Sequence, residues 1–157
     1  MNLCIFGEPG FGKTTLVEAL TKVTEERLFG NGVDYTFREM NDQDEADLLT
    51  QADVAVLVSN TEGGLTDQSD ELLSLAEELN VAHLAVFINK SDLIDTISET
   101  MDMLQMEAFE KLDEYGFEDS GFVVYGSATG ALEDPNGEWG DKIIELLTMI
   151  ENTWGVY

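Results

Sequence analysis

An octapeptide near the start of the chain, Gly7-Glu8-Pro9-Gly10-Phe11-Gly12-Lys13-Thr14, fits the spacing G-x-x-x-x-G-K-[ST]. In such a loop successive backbone N–H groups curl around phosphate oxygens, and glycines at positions 7, 10 and 12 let the backbone approach without Cβ clashes. Lys13 would set its ammonium against the β- and γ-phosphates, and Thr14 would offer its hydroxyl to Mg²⁺, with Thr15 beside it in the same loop. The apolar run Asn2-Leu3-Cys4-Ile5-Phe6 precedes the loop and a helix-forming stretch from Leu16 to Leu20 follows it. That strand–loop–helix setting aims a helix N-terminus at the polyphosphate. No G-x-G-x-x-G follows the strand, which argues against a dinucleotide site of the Rossmann kind.

A second constellation, Asn89-Lys90-Ser91-Asp92, directly follows the apolar stretch from Val81 to Ile88. Guanine presents two adjacent donors, its ring N–H and exocyclic NH₂, and the carboxylate of Asp92 can accept both. Adenine lacks that pair. Asn89 would tie this base site to the phosphate loop, and the stem of Lys90 would lie across the base plane. Gly126-Ser127-Ala128 ends a later apolar run, where a backbone N–H could meet guanine O6; a plain strand-terminating turn reads almost as well. In this order the motifs point to a site for GTP or GDP with Mg²⁺.

The elements that must hold these residues alternate between strand and helix. Strands are expected over 2–6, 26–29, 33–40, 54–59, 81–88 and 122–126, with helices over 13–22, 44–51, 67–79, 97–115 and 138–152. Asn31-Gly32, between two of the strands, is a hairpin signal because both turn positions want positive φ. The expectation is a three-layer α/β phosphate-loop fold of the Ras-like kind, with a mostly parallel six-stranded sheet and one antiparallel strand. With 157 residues and no linker or repeat, one domain over 1–157 is expected. Cys4, the single cysteine, reads as a buried core thiol, His83 as a strand residue, and Trp139 and Trp154 as anchors of the closing helix.

A net charge of −26, from 33 acids against 7 bases, disfavours direct binding to nucleic acid or anionic membranes. It fits a solvated acidic surface, or one that attracts a basic partner or imitates nucleic acid. No stretch approaches the roughly 20 apolar residues of a membrane span, and the first residues lack the basic flank of a signal peptide. A cytoplasmic protein is therefore expected.

With phosphate loop, N-K-x-D and S-A in this order, the chain resembles the translational GTPases, most closely the G domain of the elongation factor Tu type. Gln51-Ala52-Asp53-Val54-Ala55-Val56-Leu57-Val58 resembles that family's strand before its T-D-G, here Thr61-Glu62-Gly63, and Gln68 falls at the Gln of its P-Q-T. Val86-Phe87-Ile88-Asn89-Lys90-Ser91-Asp92-Leu93-Ile94-Asp95 is similar to the family's V-F-L-N-K-C-D-M-V-D. Met106-Glu107-Ala108, Tyr115-Gly116-Phe117, the stretch from Gly126 to Glu133, Glu138-Trp139 and Lys142-Ile143-Ile144-Glu145-Leu146 keep the family's order.

The departures fall on the switch elements. Where the family carries D-x-x-G-H, this chain has Asn41-Asp42-Gln43-Asp44-Glu45. Asp42 could support the metal and the reaction beside Lys13, or cap a helix whose first turn holds Asp44 and Glu45. Glu25-Glu26-Arg27-Leu28-Phe29-Gly30 resembles the family's E-E-R-x-x-G, but no threonine follows at the metal-binding place; Thr24 is the candidate substitute, and a plain hairpin the competing reading. The resemblance implies a GTPase with weak intrinsic turnover, accelerated by a protein activator or another translation-related partner. Two alternatives remain open: a nucleotide-holding interaction module or decoy without catalysis, and an ATP-dependent small-molecule kinase in which Asp92 is incidental.

Overall fold

The computed structural model describes residues 1–28, 34–95, 97–117 and 121–154. Its strands are β1 (Asn2–Gly7), β2 (Thr36–Glu39), β3 (Val54–Asn60), β4 (Leu84–Asn89) and β5 (Phe122–Tyr125). They pair in the order β2-β1-β3-β4-β5, every pair parallel. The helices are α1 (Lys13–Arg27), α2 (Asp47–Gln51), α3 (Asp67–Glu78), α4 (Glu99–Glu114), α5 (Ala128–Glu133) and α6 (Glu138–Trp154).

The apolar runs are continuous rather than alternating because both faces of the sheet are covered. Leu3, Ile5, Val54, Val56, Val58, Ala85 and Phe87 point to one side, where Leu16, Ala19, Leu20 and Val23 of α1 and Ile143, Leu146, Leu147 and Ile150 of α6 meet them. Cys4, Phe6, Ala55, Leu57, Leu84, Val86 and Ile88 point to the other, against Leu72, Leu73 and Ala76 of α3 and Met101, Ala108 and Leu112 of α4. Cys4 is fully buried as expected, and that burial, with the Glu45 carboxylate adding to it, pushes its thiol up to about 12.

The expected six-stranded sheet with an antiparallel strand needs correction: among the described residues the sheet has five strands, all parallel. Of the expected first hairpin strand, 26–29, the described residues Glu26 to Leu28 form no strand, and Phe29 lies outside the described residues. Glu26 and Arg27 instead complete the last turn of α1. The apolar spacing Leu16, Ala19, Leu20, Val23 keeps one helical face on the sheet, and the Arg27 guanidinium donates to Asp141 of α6 at 2.7 Å. Asn31-Gly32 lies outside the described residues. The strand after it enters beside β1 in parallel, where Thr36 N donates to Met1 O at 2.9 Å and Met40 N to Ile5 O at 2.9 Å. Helix α5 was not expected; Ser127 caps it by accepting from Gly130 N at 3.0 Å. His83 sits just before β4 rather than in it, its ring stacked 4.9 Å from Trp154, which also stacks on Phe122. Trp139 packs against the α1–α6 side of the core.

No helix among the described residues is long and apolar enough to cross a membrane. The strand order reverses at β1, whose neighbours β2 and β3 lie on either side. In open α/β sheets the crevice beyond the carboxyl ends at such a reversal is where ligands bind.

Candidate functional site

A cleft of about 540 Å³ opens at the carboxyl ends of these strands. Gly10, Gly12, Lys13, Thr14 and Thr15 line one wall, Asn89 and Lys90 another, and Pro9, Glu39, Asn41 and Thr129 complete it. Its size is that of a site for a nucleotide-scale ligand.

Gly7 ends β1, and a Cβ there would stand 2.8 Å from Val58 O, so the strands can be this close only with glycine. Gly12 has φ +93°, and a Cβ on it would fall 2.3 Å from Asn89 Nδ2. Lys13 is 6% exposed, and its Nζ donates to Gly7 O at 2.9 Å, folding the side chain back over the loop. Glu8 turns away from the cleft. Its buried carboxylate accepts from Ser69 Oγ at 3.1 Å, at the first turn of α3.

Asn89, expected to tie the base site to the phosphate loop, joins that loop to the start of α5. Its Nδ2 donates to Phe11 O at 2.9 Å in the phosphate loop, and its Oδ1 accepts from Ala128 N at 3.0 Å at the start of α5. Lys90 adopts a left-handed conformation, φ 60° and ψ 28°, uncommon for a side-chain-bearing residue. Its carbonyl is braced by the Thr61 hydroxyl at 2.9 Å and its Nζ lies 3.4 Å from Glu62. This kink launches a 3₁₀ turn over Ser91–Leu93, which Ser91 fixes by donating from N to Gly126 O at 3.1 Å and from Oγ to Ile88 O at 3.0 Å. Asp92, exposed, projects from that turn two residues past the cleft-lining Lys90. Ser127 and Ala128 do not line the cleft; one caps α5 and the other satisfies Asn89, while Thr129 is the residue that faces it.

Two expected metal ligands are placed elsewhere. Thr24 sits ten residues along α1 from Thr14, about 15 Å at 1.5 Å per residue. Its hydroxyl donates to Leu20 O and Thr21 O within its own helix, so the structure does not bring it to the cleft. Asp42 accepts from Asp44 N at 2.8 Å and so caps the 3₁₀ turn over Gln43–Glu45; it does not line the cleft. The residue missed by sequence reasoning is Glu39. At the carboxyl end of β2, it accepts from the Thr14 hydroxyl on one oxygen and from Asn41 Nδ2 at 3.2 Å on the other. Its place beside the phosphate loop follows from the parallel pairing of β2 with β1, which brings the carboxyl ends of both strands together.

Asn89→Ala would remove the acceptor for a buried Ala128 N–H and the donor for Phe11 O together. A loss of about 2 kcal/mol in stability is expected, measured by denaturant titration, with weaker nucleotide retention.

Fold and cleft together define a phosphate-loop nucleotide-binding protein of the α/β class. The family profile for the elongation factor Tu GTP-binding domain matches residues 38–154, about three quarters of the chain. The chain belongs to this family, and is a guanine-nucleotide-binding domain of the translational GTPase type. The match begins after the phosphate loop, so the loop's place in the site rests on the geometry above.

Proposed function

We propose that this chain, as one domain over 1–157, binds GTP and GDP with Mg²⁺ and hydrolyses GTP to GDP and phosphate slowly. The observation that supports the reading is the Asn89 bridge, which joins the phosphate loop at Phe11 to the start of α5 at Ala128 beside a cleft that Lys13, Asn89 and Lys90 line. Lys13 and the loop amides would hold the polyphosphate, Lys90 would cover the base, and Asp92 would accept the two guanine donors.

A hydroxyl and a carboxylate meeting at Thr14 and Glu39 form a hard-oxygen pair that suits Mg²⁺. When bound, the ion supplies charge neutralisation on the phosphates. Glu39→Gln is expected to raise the Mg²⁺ concentration needed for half-maximal GTP retention by about tenfold, followed by titrating the ion against a fluorescent nucleotide. Asp42→Asn, changing only a turn cap, should leave that titration in place.

Slow turnover follows from the sequence Asn41-Asp42-Gln43-Asp44-Glu45 at the place of D-x-x-G-H, since phosphoryl transfer depends on positioning and charge stabilisation. The same substitution favours the second reading, a nucleotide-holding module without catalysis. Single-turnover hydrolysis separates the two. The binding reading is tested by identifying the nucleotide that co-purifies under mild conditions and by GTP–ATP competition. Co-purified GDP or GTP and preferential displacement by GTP are expected; equal competition by ATP would overturn guanine recognition.

A further inference from the structure

The inward face of α4 is spent on the core through Met101, Ala108 and Leu112. Its outer face carries Met103, Met106 and Phe109, which are 69%, 62% and 48% exposed and follow one another at three-residue spacing. Such a spacing draws a slanting apolar stripe along the helix surface. Leu93 and Ile97, also exposed, extend apolar surface back toward the turn that bears Asp92. Scattered apolar residues are ordinary on a surface; a contiguous file on a single helix face is not.

The surroundings of the stripe decide what can cover it. Glu99, Asp102, Glu110 and Asp113 are all exposed on the same helix. Lys111, the one base in α4, turns aside to Asp70 of α3 at 3.0 Å and to Glu114 at 3.4 Å. A second copy of this chain would bring the same acids against themselves, on molecules each of net charge −26. Anionic lipid and nucleic acid meet the same repulsion.

We infer that the outer face of α4 docks a basic amphipathic segment of a protein partner, its apolar side on Met103, Met106 and Phe109 and its cations on the acidic rim. Methionine suits this use, because an unbranched, polarisable side chain reshapes itself around different apolar surfaces. The aromatic ring of Phe109 supplies the rigid part of the contact.

The test uses the full chain and a synthetic leucine–lysine amphipathic helix, with a peptide of identical composition in scrambled order as comparison. At about 0.15 M salt, where unpaired surface attraction is largely screened, the amphipathic peptide is expected to bind and the scrambled one to bind at least about tenfold more weakly. Met103→Gln/Met106→Gln/Phe109→Gln should weaken the amphipathic peptide by about tenfold or more while GDP affinity and helical circular dichroism stay unchanged. Equal binding of the two peptides, undiminished binding by the triple variant, or no binding at all would overturn the inference. So would sedimentation of the unsubstituted chain as a dimer that the triple variant turns into a monomer, because the occupant would then be a second copy.

Discussion

Asp92→Asn is expected to lower affinity for GTP by about a thousandfold while leaving affinity for ATP unchanged, so that the two nucleotides compete on nearly equal terms. Two hydrogen bonds to a charged acceptor contribute roughly 1.5–3 kcal/mol each, and the amide replaces one acceptor oxygen with a donor facing guanine's own donors. The scale of the effect rests on preorganisation. Lys90 is held in its left-handed conformation by Thr61, and Ser91 bonds both Gly126 O and Ile88 O, so the turn that carries Asp92 is fixed before any ligand arrives. Because the Asp92 side chain is exposed, its replacement should leave the melting temperature of the free protein unchanged. Calorimetric titration with both nucleotides gives the comparison. A variant that still prefers GTP as before would remove Asp92 from base recognition.

Lys13→Met is expected to weaken GTP and GDP alike by at least about a hundredfold, through loss of a charge-assisted phosphate contact. The free protein should meanwhile be as stable as before, or more so. Lys13 is 6% exposed, and its ammonium bonds a backbone carbonyl rather than a carboxylate. A buried ammonium so poorly compensated destabilises the fold, and an unbranched apolar side chain of similar length relieves that. In a chain of net charge −26 this lysine and the loop amides are also what makes the cleft hospitable to a polyanion. Thermal melts of the free protein and nucleotide titrations of the same sample separate the two effects. A parallel fall in both stability and affinity would mean that Lys13 serves the fold rather than the ligand.

The parts of the architecture that could be read from the sequence were those in which local pattern and burial agree. The runs around Ile5, Val56 and Val86 are apolar at every position because both faces are covered, and they became β1, β3 and β4. The phosphate loop and Asn89-Lys90-Ser91-Asp92 carry their signals in residue type and spacing, and of these Gly10, Gly12, Lys13, Thr14 and Thr15 share one cleft lining with Asn89 and Lys90. Asn31-Gly32 misled because a strong local turn signal says nothing about whether an amphipathic helix claims the residues before it. Leu20 and Val23 had already committed that stretch to α1, and Glu26 and Arg27 followed. Glu39 was overlooked for a related reason: its nearness to Thr14 arises from the parallel pairing of β2 with β1, a contact between residues 25 positions apart. The brace from Thr61 to Lys90 is likewise tertiary, spanning 29 positions. That the Ser127 hydroxyl caps α5 could not be read in advance, because the short helix that it caps was not expected.

The all-parallel sheet governs how this molecule must assemble. Its nearest strand partners in sequence, Ala55 and Leu84, are 29 residues apart, and Leu3 pairs with Val54 across 51. No hairpin among these strands can nucleate the sheet, and each pairing must wait for a crossover helix to form and swing back. Refolding of such a topology is expected in the slow, millisecond-to-second range, with helical signal appearing ahead of the sheet. A nucleotide that touches the ends of several strands at once would act as a clasp on the finished assembly, slowing its opening more than it hastens its closing.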